Sequence, residues 1–307
     1  MFTRTAALFL ALIVLGTAPA NAADKLTVLL DWFVNPDHGP LIVADKKGFF
    51  TDEGLEVELI APADPNDAQK ADIAVSYQPQ LHIQAAEGLP LVRFGTLVAT
   101  PLNTLVVLKD GPVKSLADLK GRKVGYSVGG FEDALLGAML KKHGLTLSDV
   151  ELINVNFSLS PSIISGQVDA VIGAFRNFEL NQMDIIGKPG RAFFVEEEGV
   201  PPYDELIYIA HKDRLDDPRL KKFLAAVERA TQYLVNHPDD AWAAFIDGRK
   251  ELDDELNKRA WRDTLPRFAL RPAALDRGRY ERFAAFMKES GLVNKDVKTE
   301  LYATELQ

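Results

Sequence analysis

GFFTDEGLEVEL at residues 48–59 and KKHGLTLSDVEL at residues 141–152 describe the same succession of elements. Each closes a helix at a glycine, turns, and enters a strand, with Leu55, Val57 and Leu59 alternating against Glu56 and Glu58 in the first copy. The match continues outward. Asp72 precedes a short apolar strand that runs into Tyr77, and Asp169 precedes one that runs into Phe175. Chance likeness between two α/β units stays open beside common ancestry, and the architecture follows from either. The first half reads as strands at 25–31, 55–60, 72–77, 91–99 and 103–109, with helices at 38–50 and 79–86. The second reads as strands at 123–128, 150–155 and 170–173, with helices ending near 143 and 166. Strands separated by helices predict mainly parallel sheets.

A strand at 205–211 follows Pro201-Pro202, and then helices at 218–236, 239–246, 253–264 and 277–290. Phe223, Leu224, Val227, Ala230 and Leu234 share one face of the first of these helices. The expected fold class is α/β with two lobes, each a mixed, mainly parallel sheet flanked by helices. Lobe one takes residues 23–108 and 206–307, and lobe two takes 113–195. The chain is expected to cross at 109–112 and 196–205, where Gly and Pro permit hinge closure.

Arg4, the apolar run 6–16 and Ala20-Asn21-Ala22 form a secretory signal pattern with cleavage expected after Ala22. The apolar run is shorter than the ~20 residues of a bilayer span, so the protein is expected not to be membrane-spanning. It contains no cysteine, which removes disulfides and lipidation on sulfur. A free periplasmic monomer is expected. The net charge of −9 disfavours nucleic acid as a partner.

Ligands of open α/β sheets sit beyond the carboxyl ends of strands, which singles out four loops. The first holds Asp31, Trp32, Asn35 and His38; a capped helix with a core Trp is its plain alternative. The second holds Ser76 and Tyr77, where a purely structural Tyr is the alternative. The third, Ser127 to Glu132 with Gly129 and Gly130, opens a helix whose N–H groups suit an oxygen-bearing group, or simply turns. The fourth holds Phe175, Arg176, Asn177, Phe178 and Glu179, where a solvated Arg176–Glu179 pair is the alternative. The five histidines, at 38, 82, 143, 211 and 237, lack metal-ligand spacing, and no nucleophile elbow is present.

The stretch LDWFVNPDHGPLIVADKKGFFTDEGLEVEL (residues 30–59), with DIAVSY, KVGYSVGG and VDAVIGAFRNFELNQ, resembles the thiamine-pyrimidine binding family. That family joins periplasmic binders of formylaminopyrimidine or hydroxymethylpyrimidine to eukaryotic thiamine-pyrimidine synthases. The resemblance covers residues 26–182 well and the helical tail in outline. It implies a type II periplasmic-binding-protein fold, a small-molecule pyrimidine ligand and an ABC transporter permease as partner. It further implies that Trp32 and aromatics of the other lobe sandwich the ring. Glu179 would pair with its amino and ring-nitrogen edge, and the Gly129-Gly130 loop would meet the remaining substituent. Stacking plus the bidentate carboxylate of Glu179 suits such a ring. The synthases of the family use lysine-bound pyridoxal phosphate, a histidine and a cysteine-rich iron-binding stretch. The absent cysteine and the export signal favour a binder with no cofactor. Riboflavin or an organic sulfonate remains the rival ligand; a sulfonate would need a cation, for which Arg176 is the candidate.

Overall fold

A computed structural model describes residues 23–64 and 71–306 of the 307-residue chain. The signal-peptide expectation, residues 1–22, lies outside the described residues. Two five-stranded sheets form the two lobes. In lobe one, β1 (Asp24–Leu29), β2 (Leu55–Ile60), β3 (Ile73–Ser76) and β4 (Leu91–Val98) come from the first part of the chain. In lobe two, β5 (Asn103–Leu108), β6 (Lys123–Tyr126), β7 (Glu151–Asn154), β8 (Ala170–Phe175) and β9 (Gly190–Phe194) make the sheet. The last strand, β10 (Leu206–His211), returns to lobe one.

The orders are β2-β1-β3-β10-β4 and β7-β6-β8-β5-β9. In each sheet the first three strands are parallel, and the fourth runs antiparallel to both its neighbours. That fourth strand is the one by which the chain enters the lobe: β5 going out and β10 coming back. Residues 103–108 therefore belong to lobe two, and the first crossing precedes them at 99–102, not at 109–112. The run NTLVVL is buried almost throughout, as an interior strand requires, and such a run fits either sheet equally. Gly111 and Pro112 belong to the turn that follows it. The second crossing spans 195–205, between β9 and β10.

The helix expected over 38–50 is divided. A 3-10 turn at Pro36–His38 leads into α1 (Gly39–Lys46), and α2 (Phe49–Asp52) starts after Gly48, whose φ of 75° lies in the left-handed region. Helices α3 (Gln78–Glu87), α4 (Glu132–Lys142), α5 (Leu159–Ile164) and α6 (Glu179–Ile185) follow the strands they leave. The tail is α7 (Pro218–Asn236), α8 (Pro238–Ile246), α9 (Glu255–Thr264) and α10 (Arg277–Glu289). Asp217 caps α7 by accepting from Arg219 N, and Phe223, Leu224, Val227, Ala230 and Leu234 are all buried. Phe223 stacks on Phe50 at 5.7 Å, which fixes the tail to lobe one.

The crossings are fastened to each other by one side chain. Glu205 Oε2 accepts from Leu102 N at 2.6 Å, Asn103 N at 2.9 Å and Tyr203 Oη at 3.1 Å. Its neighbour Asp204 is tied to lobe one instead, through Thr96 Oγ1 at 2.9 Å and Gln78 Oε1 on its own N–H at 2.8 Å. The two crossings are thus short segments held together by the Glu205 carboxyl group. No helix among the described residues is long and apolar enough to cross a membrane.

Candidate functional site

The loop after β1 is built around its own polar groups. Asn35 caps the 3-10 turn, its Oδ1 accepting from Asp37 N at 2.8 Å. Asn35 N donates back to His38 Nδ1 at 3.3 Å. With Nδ1 accepting, the ring proton sits on Nε2, which donates to Asp31 Oδ1 at 2.9 Å. Tyr77 Oη donates to Asp31 Oδ2 at 2.9 Å from the loop after β3. His38, fully buried, lies behind Asp31 and orients it.

Between the lobes lies a cleft. Lobe one lines it with Asp31, Trp32, Asn35, Asp37 and Tyr77, and lobe two with Glu132, Leu159, Gly173, Phe175, Phe178 and Glu179. Trp32 is half-buried and meets the edge of Phe157 at 4.3 Å, packing against lobe two and not in the core of its own lobe. Tyr77 stacks on Phe131 across the interface at 4.8 Å. Glu179 opens α6 and its Oε2 accepts from Phe175 N at 2.6 Å, so a carboxyl group faces the cavity in a fixed pose.

The cleft wall is acidic: Asp31, Asp37, Glu132 and Glu179 line it, and among the described residues no Lys, Arg or His does. Burial pushes Glu132 and Glu179 up to about 8 and Asp37 up to about 6. Arg176, the cation considered from sequence, turns away. It grips Glu196 with two bonds of 2.6 and 2.8 Å and covers the Phe194 ring at 4.3 Å, and it is not a partner of Glu179.

Seven of the twelve residues expected from sequence meet in the wall: Asp31, Trp32, Asn35, Tyr77, Phe175, Phe178 and Glu179. His38 and Asn177 stand one layer back. Asn177 Nδ2 donates to Asp37 Oδ1 at 2.6 Å and to Thr264 Oγ1 at 2.7 Å, joining lobe two to the loop after β1 and to α9. Asn181–Asp263 at 2.8 Å and Asp184–Arg259 at 2.7 Å extend this latch. Ser76 donates to Gln80 and faces a separate groove of lobe one. Gly129 and Gly130 are exposed and outside the cleft wall. Two N–H groups of that loop are directed away from the cleft, Ser127 N and Val128 N donating to Glu132 Oε2 at 2.7 and 3.1 Å. Sequence reasoning passed over Asp37, Glu132, Leu159 and Gly173. The usable signal was Gly173, a glycine inside the strand AVIGAF, which marks a close approach.

Known proteins share this architecture. The alkanesulfonate-binding protein SsuA from Xanthomonas axonopodis pv. citri superposes with a TM-score of 0.72 over 92% of this chain and 99% of that one, at 15% identity. A Candida albicans gene product with the generic periplasmic binding protein fold gives 0.72 over 92% and 97%, at 16% identity. The fold is therefore that of the periplasmic binding proteins. By sequence, the chain is 55% identical to a Haemophilus influenzae protein named "Putative thiamine biosynthesis protein", over 95% of both chains. It is 32% identical to the "Formylaminopyrimidine-binding protein" of Halalkalibacterium halodurans over 81% of this chain and 80% of that one. It is 28% identical to an Aspergillus parasiticus "4-amino-5-hydroxymethyl-2-methylpyrimidine phosphate synthase" over 81% and 78%. A family profile described as NMT1/THI5 like matches residues 35–241, and the chain belongs to that family.

Proposed function

We propose that this protein is a periplasmic solute-binding protein that captures a 4-aminopyrimidine precursor of thiamine, formylaminopyrimidine or hydroxymethylpyrimidine, and presents it to an ABC importer. The observation that carries the reading is the wall of the interlobe cleft: among the described residues, aromatic faces from both lobes with four carboxyl groups and no cation. A flat ring rich in N–H donors satisfies both features. A sulfonate would place its charge among four acids, which argues against the rival ligand. Riboflavin, the other rival, is an outcome of the mass spectrometry below. The formylaminopyrimidine-binding relative supports the ligand class. Export and the importer rest on the signal pattern at the N-terminus and on the shared binding-protein fold.

The synthases among the relatives make catalysis the competing reading. Among the described residues the cleft wall holds no lysine to carry an aldehyde cofactor, and His38 is engaged with Asp31 behind the wall. Both features support binding without turnover.

Mass spectrometry of small molecules released from the denatured protein, followed by calorimetric titration, tests the proposal. Hydroxymethylpyrimidine or formylaminopyrimidine should bind, and an alkanesulfonate should not. Binding of riboflavin or the sulfonate with no response to the pyrimidines overturns it. Trp32→Ala should weaken pyrimidine binding by ~1–3 kcal/mol, the range for burying a large aromatic face. Its melting temperature should stay close to wild type, because Trp32 lies at the lobe interface. A sharp fall in melting temperature would instead make it a core residue.

A further inference from the structure

Glu132 is buried at the start of α4, yet its carboxyl group lines the cleft. Two backbone donors hold it, and both bonds fall on Oε2. Beneath it, β8 has made room. Gly173 has φ +95°, and a Cβ there would lie 2.4–2.6 Å from the Glu132 carboxyl atoms. Gly173 N is itself engaged by Asn103 Oδ1 at 3.1 Å, so the strand floor is fixed. The seat is specific to this side chain, and bracing a loop does not require an acid in a cavity.

Glu132 and Glu179 both line the cleft. Each carboxyl group is presented by its own loop, one after β6 and one after β8. One flat ligand between them can meet a carboxyl group on two different edges.

We propose that Glu132 is a second ligand-recognition residue, whose carboxyl group, with Oε2 committed to two backbone N–H groups, donates through Oε1 to an oxygen of the substituent next to the amino group of the ring. The inference rests on the pyrimidine reading and adds its selectivity: the cleft prefers a substituent that carries an acceptor oxygen. The role expected for the Gly129-Gly130 backbone falls to this side chain.

Three neutral probes test it by calorimetry: 4-amino-5-hydroxymethyl-2-methylpyrimidine, its 5-methyl analogue and its 5-methoxymethyl analogue. At pH 7 wild type should bind the hydroxymethyl and methoxymethyl compounds several-fold to about tenfold tighter than the methyl compound, the span of one neutral hydrogen bond. In Glu132→Gln the amide oxygen must take the Ser127 and Val128 N–H groups, which turns the amide nitrogen, a donor only, toward the ligand. At pH 9 the ionised wild-type group can only accept, so the methoxymethyl compound should lose its advantage over the methyl compound, while Glu132→Gln keeps it at both pH values. A methoxymethyl-to-methyl ratio that is the same in wild type at pH 7 and pH 9 overturns the proposal, because the preference is then steric. Equal binding of the hydroxymethyl and methyl compounds by wild type overturns it without any variant, should Glu132→Gln fail to fold. If wild type binds none of the three, the pyrimidine reading falls and this inference with it. If it binds all three alike, only the role of Glu132 falls.

Discussion

Glu179→Ala is expected to lower the affinity for 4-amino-2,5-dimethylpyrimidine by tenfold to a hundredfold, about 1.5–3 kcal/mol. That ligand places no oxygen before Glu132, so it reports on Glu179 alone. The carboxyl group is held by Phe175 N, and one of its oxygens is therefore committed as an acceptor. The amino group of the ring can donate to this carboxyl group, and the ring nitrogen beside it needs a proton between the two. Burial pushes Glu179 up to about 8, so at pH 7 the carboxyl group brings that proton itself. From sequence, Glu179 looks like an ionised partner, and Glu179→Gln should then cost as much as Glu179→Ala. With the group buried, glutamine reproduces the protonated acid: its oxygen accepts and its nitrogen donates. Glu179→Gln should stay within about fivefold of wild type at pH 7. Above pH 8 wild-type affinity should fall by up to tenfold per pH unit as the proton is lost, while the glutamine variant stays flat. Titrations at pH 7, 8 and 9 measure both slopes, and a glutamine variant as weak as alanine at pH 7 would show an ionised pair.

Hydrophobic period and turn chemistry made most of the fold legible. The strands at 55–60, 91–98 and 206–211 and the buried face of α7 stand within a residue of their sequence reading. The partition of β5 was not legible, because an all-apolar strand carries no mark of which sheet it joins. In the site, residues just past a strand end were legible from position: Trp32, Tyr77, Phe175, Phe178 and Glu179 reach one cavity. The acids were harder. Asp37 and Glu132 sit in the first turn of a helix, where a carboxylate usually complements the dipole in water. Nothing local reveals that these two turn inward. Asn177 and His38 show the opposite case. Their chemistry looks like ligand contact, but packing brings each to a carboxylate of the protein first.

The ligand-free protein is expected to lose stability as pH rises from 6.5 to 8.5, by about 3–4 kcal/mol, with a matching fall in melting temperature. The sign follows from where protons are held. Glu132 and Glu179 titrate at about 8 when folded, far above the ordinary carboxyl range they recover on unfolding. Between those values the folded chain keeps protons that the unfolded chain has released, so each pH unit favours unfolding. The contribution is complete below the ordinary carboxyl range and gone above about pH 8. Glu205, at about 7, adds to the early part of the fall. His82 works the other way: burial lowers it to about 3, so its contribution rises with pH, but only up to the ordinary histidine range near 6.5. Surface acids such as Asp217, held at about 2, are ionised in both states throughout the window. What remains above pH 6.5 comes mainly from the two acids of the cleft, with Glu205 adding to it. Replacing either by glutamine should flatten the slope by about half and leave the variant more stable than wild type at pH 8.5. Melting curves of wild type, Glu132→Gln and Glu179→Gln at the two pH values provide the comparison. A wild-type melting temperature that does not fall across the interval would mean that both acids are already ionised at pH 6.5, and the proton assigned to Glu179 in the bound state would have to come from the ring.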